Sequence, residues 1–393
     1  MKTFTCHCGN KLHFENTQCL VCGRILGYLP EQQQLSALEA AEGNQWHALA
    51  DGRLYRQCDN YSRHNVCNWM VPVGDKNMYC TSCRLNHIIP NLSEPENLAL
   101  WNSVEIAKRR LLYTLYTLGL PIIGRDAEPQ SGLAFEFLAD QTNDDEFSNQ
   151  VTPQQSVITG HRAGLITINI KEAEDSAREE MREKMKERYR TLLGHFRHES
   201  GHYYWERLVS NTSNLDEYRL LFGDERTNYQ QALENYYQSG PPTGWQDNWI
   251  SAYASSHPWE DWAETWAHYL HMVDTLDTAH HWGVAVQGKR VAPFGTPEGV
   301  RPKGSSGRGA WNFDILFQDW MQLGLALNAL SRSLGTDDAY PFILPEPVES
   351  KLALVHDIIQ DYAAHHAQRE VQPQQAQPQH PTPQQPQPQQ RPT

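Results

Sequence analysis

His198, Glu199 and His202 form the pattern His-Glu-x-x-His, whose residue types and spacing suit hydrolytic chemistry. On an α-helix, residues four apart lie on one face, so both imidazoles can bind the same zinc ion. Glu199 then lies beside the metal, where it can act as general base toward a zinc-activated water and return the proton to a leaving amine. A pattern this short also arises by chance, so its interpretation depends on the elements around it.

A second segment offers carboxylates to the same metal. A catalytic zinc needs a third protein ligand and a fourth position that stays open. Glu260 and Glu264 share one face of a predicted helix within 253–271. We predict that Glu260 is the third ligand and that Glu264 orients a histidine ring from behind, and we keep the reverse assignment as the alternative. Three tryptophans predict that this helix is largely buried: Trp259, Trp262 and Trp266.

Three further residues lie close to these ligands in the sequence. Tyr253 precedes Glu260 by about two helical turns, and its phenol is our candidate for stabilising the oxyanion of a tetrahedral intermediate. His257 is the second candidate for that role, and either side chain can equally be a packed core residue. His195 lies one turn before the motif, and we expect it at the surface or behind the metal rather than among the ligands.

Hydrophobic periodicity predicts the elements that position these groups. The predicted elements are a helix over 95–118, a strand over 133–138, a hairpin over 156–170 and a long helix over 172–209, with further helices up to residue 362. The histidine motif lies in the second half of the long helix. We expect the strand over 164–170 to be an edge strand that can pair with an extended peptide.

All eight cysteines lie before residue 84, in two groups of four: Cys6, Cys8, Cys19 and Cys22, followed by Cys58, Cys67, Cys80 and Cys83. Closely spaced thiolates on tight turns are typical zinc ligands, and two such pairs facing each other form a zinc ribbon. We therefore predict two structural zinc ions besides the catalytic one. The first pair is one residue shorter than a usual knuckle and the Cys58/Cys67 pair is loose, so a nearby histidine can replace a ligand: His7, His13 or His64. Free structural thiols, or a redox pair, are the alternative interpretation.

Composition divides the chain into five parts. We predict a zinc ribbon over 1–29, a helical connector over 30–44, a second four-cysteine module over 45–94, a catalytic domain over 95–365 and a disordered tail over 366–393. The tail prediction depends on composition, because 17 of the last 22 residues are Pro or Gln.

The charge distribution bears on possible partners. The chain has a formal net charge of −14, and the excess belongs to residues 96–365, where 23 basic side chains face 38 acidic ones. Two four-thiolate zinc sites would each add −2 to the formally neutral cysteine region, which argues against nucleic acid as a partner. No apolar run reaches the length of a membrane span, and the N-terminus lacks the apolar stretch of a signal peptide, so we expect a cytoplasmic protein.

The motifs together resemble a known family. The histidine motif followed by Glu260-Asp-Trp-Ala-Glu264 is similar to the gluzincin metallopeptidases. More specifically, the chain resembles a bacterial family of zinc-binding metallopeptidases that carry an N-terminal zinc ribbon. The likeness spans roughly residues 4–365 and includes Cys6-His-Cys-Gly, Cys67-Asn-Trp, Ala107-Lys-Arg-Arg and His257-Pro-Trp-Glu-Asp-Trp-Ala-Glu-Thr-Trp-Ala-His-Tyr. It implies a zincin-like catalytic domain with Glu199 as base and zinc on His198, His202 and Glu260.

The sequence thus predicts an α+β protein, in which a mostly helical, zincin-like domain with a small β-sheet follows zinc-ribbon modules. The predicted function is zinc-dependent hydrolysis of peptide bonds in a peptide or protein substrate. One alternative is a scaffold whose zinc ribbons engage protein or nucleic acid while the second domain is catalytically idle. Another is a metal-dependent hydrolase that acts on a non-peptide bond.

Overall fold

The computed structural model describes residues 2–139, 157, 159–185, 191–292 and 312–371. Helix and sheet are mixed along the chain. The strands are β1 (Phe4–Thr5), β2 (Lys11–Leu12), β3 (Leu26–Leu29), β4 (Gln34–Ala40), β5 (Gln45–Ala48), β6 (Leu54–Gln57), β7 (Met70–Pro72), β8 (Asn86–Ile88), β9 (Ala134–Leu138), β10 (Gly160–Arg162), β11 (Leu165–Asn169), β12 (Ala285–Val286) and β13 (Lys289–Arg290). The helices are α1 (Asp59–Ser62), α2 (Asn97–Thr117), α3 (Asp175–Met185), α4 (Leu192–Leu208), α5 (Leu215–Phe222), α6 (Tyr229–Ser239), α7 (Pro258–His281), α8 (Phe313–Ser333) and α9 (Glu346–Val371).

The cysteine region is built around one antiparallel sheet of five strands, in the order β3-β4-β5-β6-β7. The helical connector predicted over 30–44 is wrong, because this segment forms a short 3-10 turn, Pro30–Gln32, and then strand β4. Its Ala, Glu and Leu residues favour helix, but Leu35 and Leu38 are at most 3% exposed within the sheet, and tertiary packing outweighs local propensity. Strand β4 therefore joins the two cysteine modules instead of separating them.

A second sheet, in the order β10-β11-β9-β8, faces α4, the helix that carries the histidine motif. Strand β11 pairs with β9 in parallel and with β10 as an antiparallel hairpin, so β11 is an inner strand. The prediction that 164–170 forms the sheet edge is therefore wrong, and β10 occupies that edge. Strand β8, which follows the last cysteine, completes the sheet at its other side.

The long helix predicted over 172–209 is interrupted. A 3-10 turn, Ile170–Ala173, and helix α3 precede Thr191, whose extended backbone (φ −120°, ψ 151°) starts α4. The Thr191 side chain accepts a hydrogen bond from the Gly194 N–H at 2.9 Å, which is an N-cap and requires this non-helical conformation. Residues 186–190 of the predicted helix lie outside the described residues.

At the C-terminus, helix α9 extends to Val371, so residues 366–371 of the tail predicted to be disordered are helical. The first proline beyond this helix is Pro373, and the residues just before 371 favour helix, so composition alone placed the boundary too early. The rest of the predicted tail, 372–393, lies outside the described residues. Within the described ranges, no helix combines the length and the apolar character needed to cross a membrane.

Candidate metal centre

Helices α4 and α7 pack closely against each other, and this contact positions the candidate site. A Cβ atom added at Gly201 would lie 2.9 Å from the Ala263 Cα and 3.2 Å from the Trp266 Cβ, so only glycine permits this approach. The Trp262 indole N–H also donates to the Gly201 carbonyl oxygen at 3.0 Å. Ring packing around this crossing is dense, since Trp262 and Trp266 are fully buried. The approach brings the polar face of α4 against the first two turns of α7.

Three side chains from these helices converge on one point. The ligand atoms of His198, His202 and Glu260 all lie within 4.8 Å of one another. One Glu260 oxygen lies 3.0 Å from the His198 Nε2, and the other lies 3.6 Å from the His202 Nε2. Two imidazoles and one carboxylate that share a point in this way suit zinc, and three protein ligands leave a fourth position for a reacting molecule. The residues present therefore fit the metal that the sequence implies.

Glu264 lies behind His198. One of its oxygens is 2.7 Å from the His198 Nδ1, and the other accepts a hydrogen bond from the Ser251 hydroxyl at 2.6 Å. Although burial works against ionisation, the hydrogen bond to His198 lowers the pKa of Glu264 to about 2. A charged Glu264 keeps the proton of His198 on Nδ1 and leaves its Nε2 free to bind a metal. In this geometry Glu260 faces both imidazoles and Glu264 faces only one.

Glu199 lies between the two histidines of the motif on α4 and is 9% exposed. Burial raises the pKa of the Glu199 carboxyl. The charge of Glu260 acts in the same direction, whereas His198 and His202 act against it. A raised pKa suits a carboxylate that must accept a proton and release it within one reaction cycle.

Two phenols flank Glu260. Tyr253 lies in a 3-10 turn before α7, with its ring centroid 6.0 Å from that of His198, and burial raises its pKa well above the usual value. Tyr229, at the start of α6, donates its hydroxyl hydrogen bond to Glu260 Oε1 at 2.6 Å. No spacing in the sequence connects Tyr229 with Glu260, so the sequence alone does not identify this residue as part of the centre.

The two other histidines considered from sequence lie outside the centre. His257 caps α7, since its Nδ1 accepts the Trp259 N–H at 3.1 Å and its Nε2 lies 3.0 Å from the Thr227 carbonyl oxygen. Both of its ring nitrogens therefore contact backbone groups, which removes His257 as a candidate for the oxyanion role. His195 pairs through Nδ1 with Glu172 and does not contribute to the metal cluster.

Aromatic and imidazole rings form one wall of the centre. The Trp259 ring lies 4.0 Å from the His202 ring, and His161 of β10 lies 6.1 Å from His202. The edge strand of the second sheet thus passes beside a candidate metal ligand. The sequence placed this strand in a hairpin near the motif but could not show which of its two strands lies at the edge.

The cysteines form two further clusters, one from each group of four. The Sγ atoms are 3.7 Å apart in the pairs Cys6–Cys22, Cys8–Cys19 and Cys67–Cys80. A tetrahedral site with Zn–S bonds of about 2.3 Å places its sulfur atoms about 3.8 Å apart, so these thiols fit zinc.

The histidines considered as replacement ligands for these clusters lie elsewhere. The His13 ring stacks on Trp282, the His64 ring contacts Trp101, and His7 is exposed. Neither cysteine cluster includes any of the three among its ligand atoms. Each cluster therefore has four thiols of its own for zinc.

Comparison with known proteins agrees with this organisation. A family model described as "Putative zinc-binding metallo-peptidase" matches residues 97–358, and a zinc-ribbon domain model matches residues 3–94. The chain belongs to this metallo-peptidase family. No solved structure shows a significant match to the chain.

Relatives with the same organisation occur in mycobacteria. An uncharacterized protein of Mycobacterium bovis and two of Mycobacterium tuberculosis are each 40% identical to the chain over 377 residues. The alignments cover 94% of this chain and 100% of each relative. The likeness to these relatives therefore extends over nearly the whole chain, from the cysteine clusters to the helices of the metal centre.

Proposed function

We propose that the protein is a zinc-dependent peptidase with a zincin-like catalytic centre on α4 and α7. The observation that carries this proposal is the convergence of His198, His202 and Glu260 beside the buried Glu199. A zinc ion held by these three side chains would act as a Lewis acid and lower the pKa of a coordinated water. The two cysteine clusters would hold structural zinc, so we expect three zinc ions per chain.

The protein's own residues would then move the proton and hold the substrate. Glu199 would take a proton from the attacking water and deliver it to the amine nitrogen as the peptide C–N bond breaks. Tyr253 would donate a hydrogen bond to the oxyanion that develops on the attacked carbonyl. Glu264 would keep the His198 ring oriented through both steps.

A peptide substrate fits the sheet beside the centre. Strand β10 pairs with β11 on one side, and its other edge can accept an extended peptide as an additional strand. His161 on β10 lies 6.1 Å from His202, so a peptide added there would run past the metal ligands. The acidic excess of residues 96–365 favours neutral or basic peptides, and it disfavours nucleic acid.

The decisive experiment compares the wild type with the Glu199→Ala variant. We expect the variant to hold three zinc ions, to lose about 10²–10⁴-fold in peptide hydrolysis, and to retain substrates that the wild type cleaves. Incubation of both proteins with a peptide library, followed by mass spectrometry, identifies peptides that disappear only with the wild type. Glu234→Gln on the exposed face of α6 is the matched control. Equal cleavage by wild type and Glu199→Ala would contradict the proposal.

A further inference from the structure

Helix α6 lies in a stretch of the chain whose residues are unusually exposed to solvent. Between Phe222 (7% exposed) and Ile250 (2% exposed), none of residues 224–249 is buried, although α6 forms three helical turns within them. Glycines lie at both ends of this part of the chain, with φ +103° at Gly223 before the helix and φ +75° at Gly240 after it. The segment is therefore attached to the core at its ends and contributes no buried residue to it.

The inner face of α6 contacts the metal centre. Its half-exposed side chains recur at helical spacing, and this stripe comprises Tyr229, Ala232, Leu233 and Tyr236. The Tyr229 ring lies 5.7 Å from the Trp259 ring, and the Tyr236 ring lies 5.8 Å from the Tyr253 ring. The helix thus covers the same aromatic wall and the same phenol that a bound peptide would meet.

The two ends of the stretch 224–249 contact the rest of the protein, whereas α6 itself contacts the metal centre. Arg219 pairs with Glu225 before α6, and the Lys351 Nζ donates to the Asn248 carbonyl oxygen at 2.7 Å after it. Between these attachments, the Thr227 carbonyl oxygen lies 3.0 Å from the His257 Nε2, and the Tyr229 hydroxyl donates to Glu260 Oε1 at 2.6 Å. A segment with few buried apolar contacts opens at low free-energy cost, so one hydrogen bond to a buried carboxylate contributes a large share of its stability.

We propose that Tyr229 is a positioning residue for Glu260 and that α6, which carries it, is a removable cover over the metal centre. The Tyr229 hydroxyl holds Glu260 Oε1, and Oε2 is thereby directed toward the His198 Nε2, 3.0 Å away. When α6 opens, a peptide gains access to Trp259 and His202, and Glu260 loses its hydroxyl partner. The positioning role rests on the proposed zinc ligands, whereas the cover rests on the exposure and contacts of α6 alone.

The test uses the full-length, zinc-loaded protein and two conservative variants on the same helix. Tyr229→Phe removes the hydroxyl and keeps the ring, and Glu234→Gln, an isosteric change at an exposed side chain of α6, is the matched control. Hydrogen–deuterium exchange measured by mass spectrometry reports opening of 224–249, and a chelator that changes colour on binding zinc reports the release rate of each metal.

In Tyr229→Phe we expect the α6 amides to exchange about 5- to 10-fold faster, with α4 and α7 unchanged. One of the three zinc ions should leave about 10-fold faster, and the other two at the wild-type rate. Glu234→Gln should match the wild type in both measurements.

Each contrary result overturns a defined part of the proposal, which is either the cover formed by α6 or the positioning role of Tyr229. Unchanged exchange of α6, or equally faster exchange in α4 and α7, overturns the cover. Three zinc ions with unchanged release in Tyr229→Phe overturn the positioning role alone. Two zinc ions in the wild type overturn the proposed catalytic metal and the positioning role with it, while the exchange measurement still decides the cover.

Discussion

The second cysteine cluster and the histidine–carboxylate centre show two ways of building a metal site. All four thiols of the cluster are at most 3% exposed: Cys58, Cys67, Cys80 and Cys83. Backbone N–H groups donate to these sulfur atoms at 3.3–3.4 Å, for example from Trp69 to Cys67. The histidine–carboxylate centre offers three candidate ligands and lies under α6, a helix with no buried side chain. Four enclosed ligands suit a structural metal, and three ligands with one free position suit catalysis.

The two sites also differ in what holds their ligands in place. The cysteines lie outside the strands, in loops and short turns, so a metal there holds loop segments together and contributes to folding itself. His198 and Glu260 lie on two long helices that pack through buried tryptophans, so their geometry is set by the core before any metal binds. Loss of metal should therefore have unequal consequences at the two sites.

The largest expected effect tests whether the loss of a metal ligand destabilises the fold more at the cysteine cluster than at the histidine–carboxylate centre. Cys80→Ala should lower the free energy of unfolding by about 3–5 kcal/mol, because it removes a buried zinc ligand and one of the thiolate charges near the buried Arg109. His202→Ala should lower the zinc content from three ions to two and keep the fold. Chemical denaturation, with elemental analysis of zinc, measures both. Equal destabilisation by the two variants would contradict the distinction between the sites.

The next effect concerns the crossing of α4 and α7, on which the histidine–carboxylate centre depends. Gly201→Ala places a Cβ atom 2.9 Å from the Ala263 Cα, and we expect it to lower the free energy of unfolding by about 1–3 kcal/mol. Gly324→Ala is the matched control, because a Cβ atom at this helical glycine of α8 meets no atom within 4 Å. That variant should gain about 0.5–1 kcal/mol from lower backbone entropy in the unfolded chain. Thermal denaturation measures both, and a stabilised Gly201→Ala would show that the two helices can move apart.

The residues of the centre that could be predicted are those fixed by helical geometry. The spacing of His198 and His202 on one helix, and of Glu260 and Glu264 on another, determines which side chains share a face whatever the rest of the chain does. The close approach of these two helices was also foreseeable from the small residues Gly201 and Ala263. Because helix geometry depends on local sequence, this part of the site can be predicted from the sequence alone.

The features that could not be predicted depend on partners distant in the chain. Strand β4 has the composition of a helix and becomes a strand because β3 and β5 pair with it. Strand β11 is an inner strand because β9, which precedes it by about thirty residues, adds to its free side. Tyr229 reaches Glu260 only because the stretch 224–249 turns back over α7. None of these three pairings leaves a periodic signal in the sequence.

A smaller effect concerns the carboxylate behind His198. Glu264→Gln keeps an oxygen near the His198 Nδ1 but removes the charge that holds the proton there, so we expect zinc affinity at the catalytic site to fall by about 10- to 100-fold. The two cysteine sites should keep their affinity, since Glu264 belongs to neither. Competition with a chelator of known zinc affinity measures the three sites. An unchanged catalytic-site affinity would show that His198 does not need an ionised partner.

The smallest effect concerns the contact that joins the first cysteine module to α2. Arg110 pairs with Glu15 at 2.6 Å, with side chains 39% and 27% exposed, whereas the neighbouring Arg109 is buried and donates to the Val66 carbonyl oxygen in the second module. Exposed ion pairs contribute little because water screens them, so a double-mutant cycle with Arg110→Met and Glu15→Gln should give a coupling of about 0.2–1 kcal/mol. Chemical denaturation of the four proteins in the cycle measures it, and a coupling that falls in high salt identifies its electrostatic part. A coupling as large as the effect of Cys80→Ala would mean that the first module is held as firmly as the second.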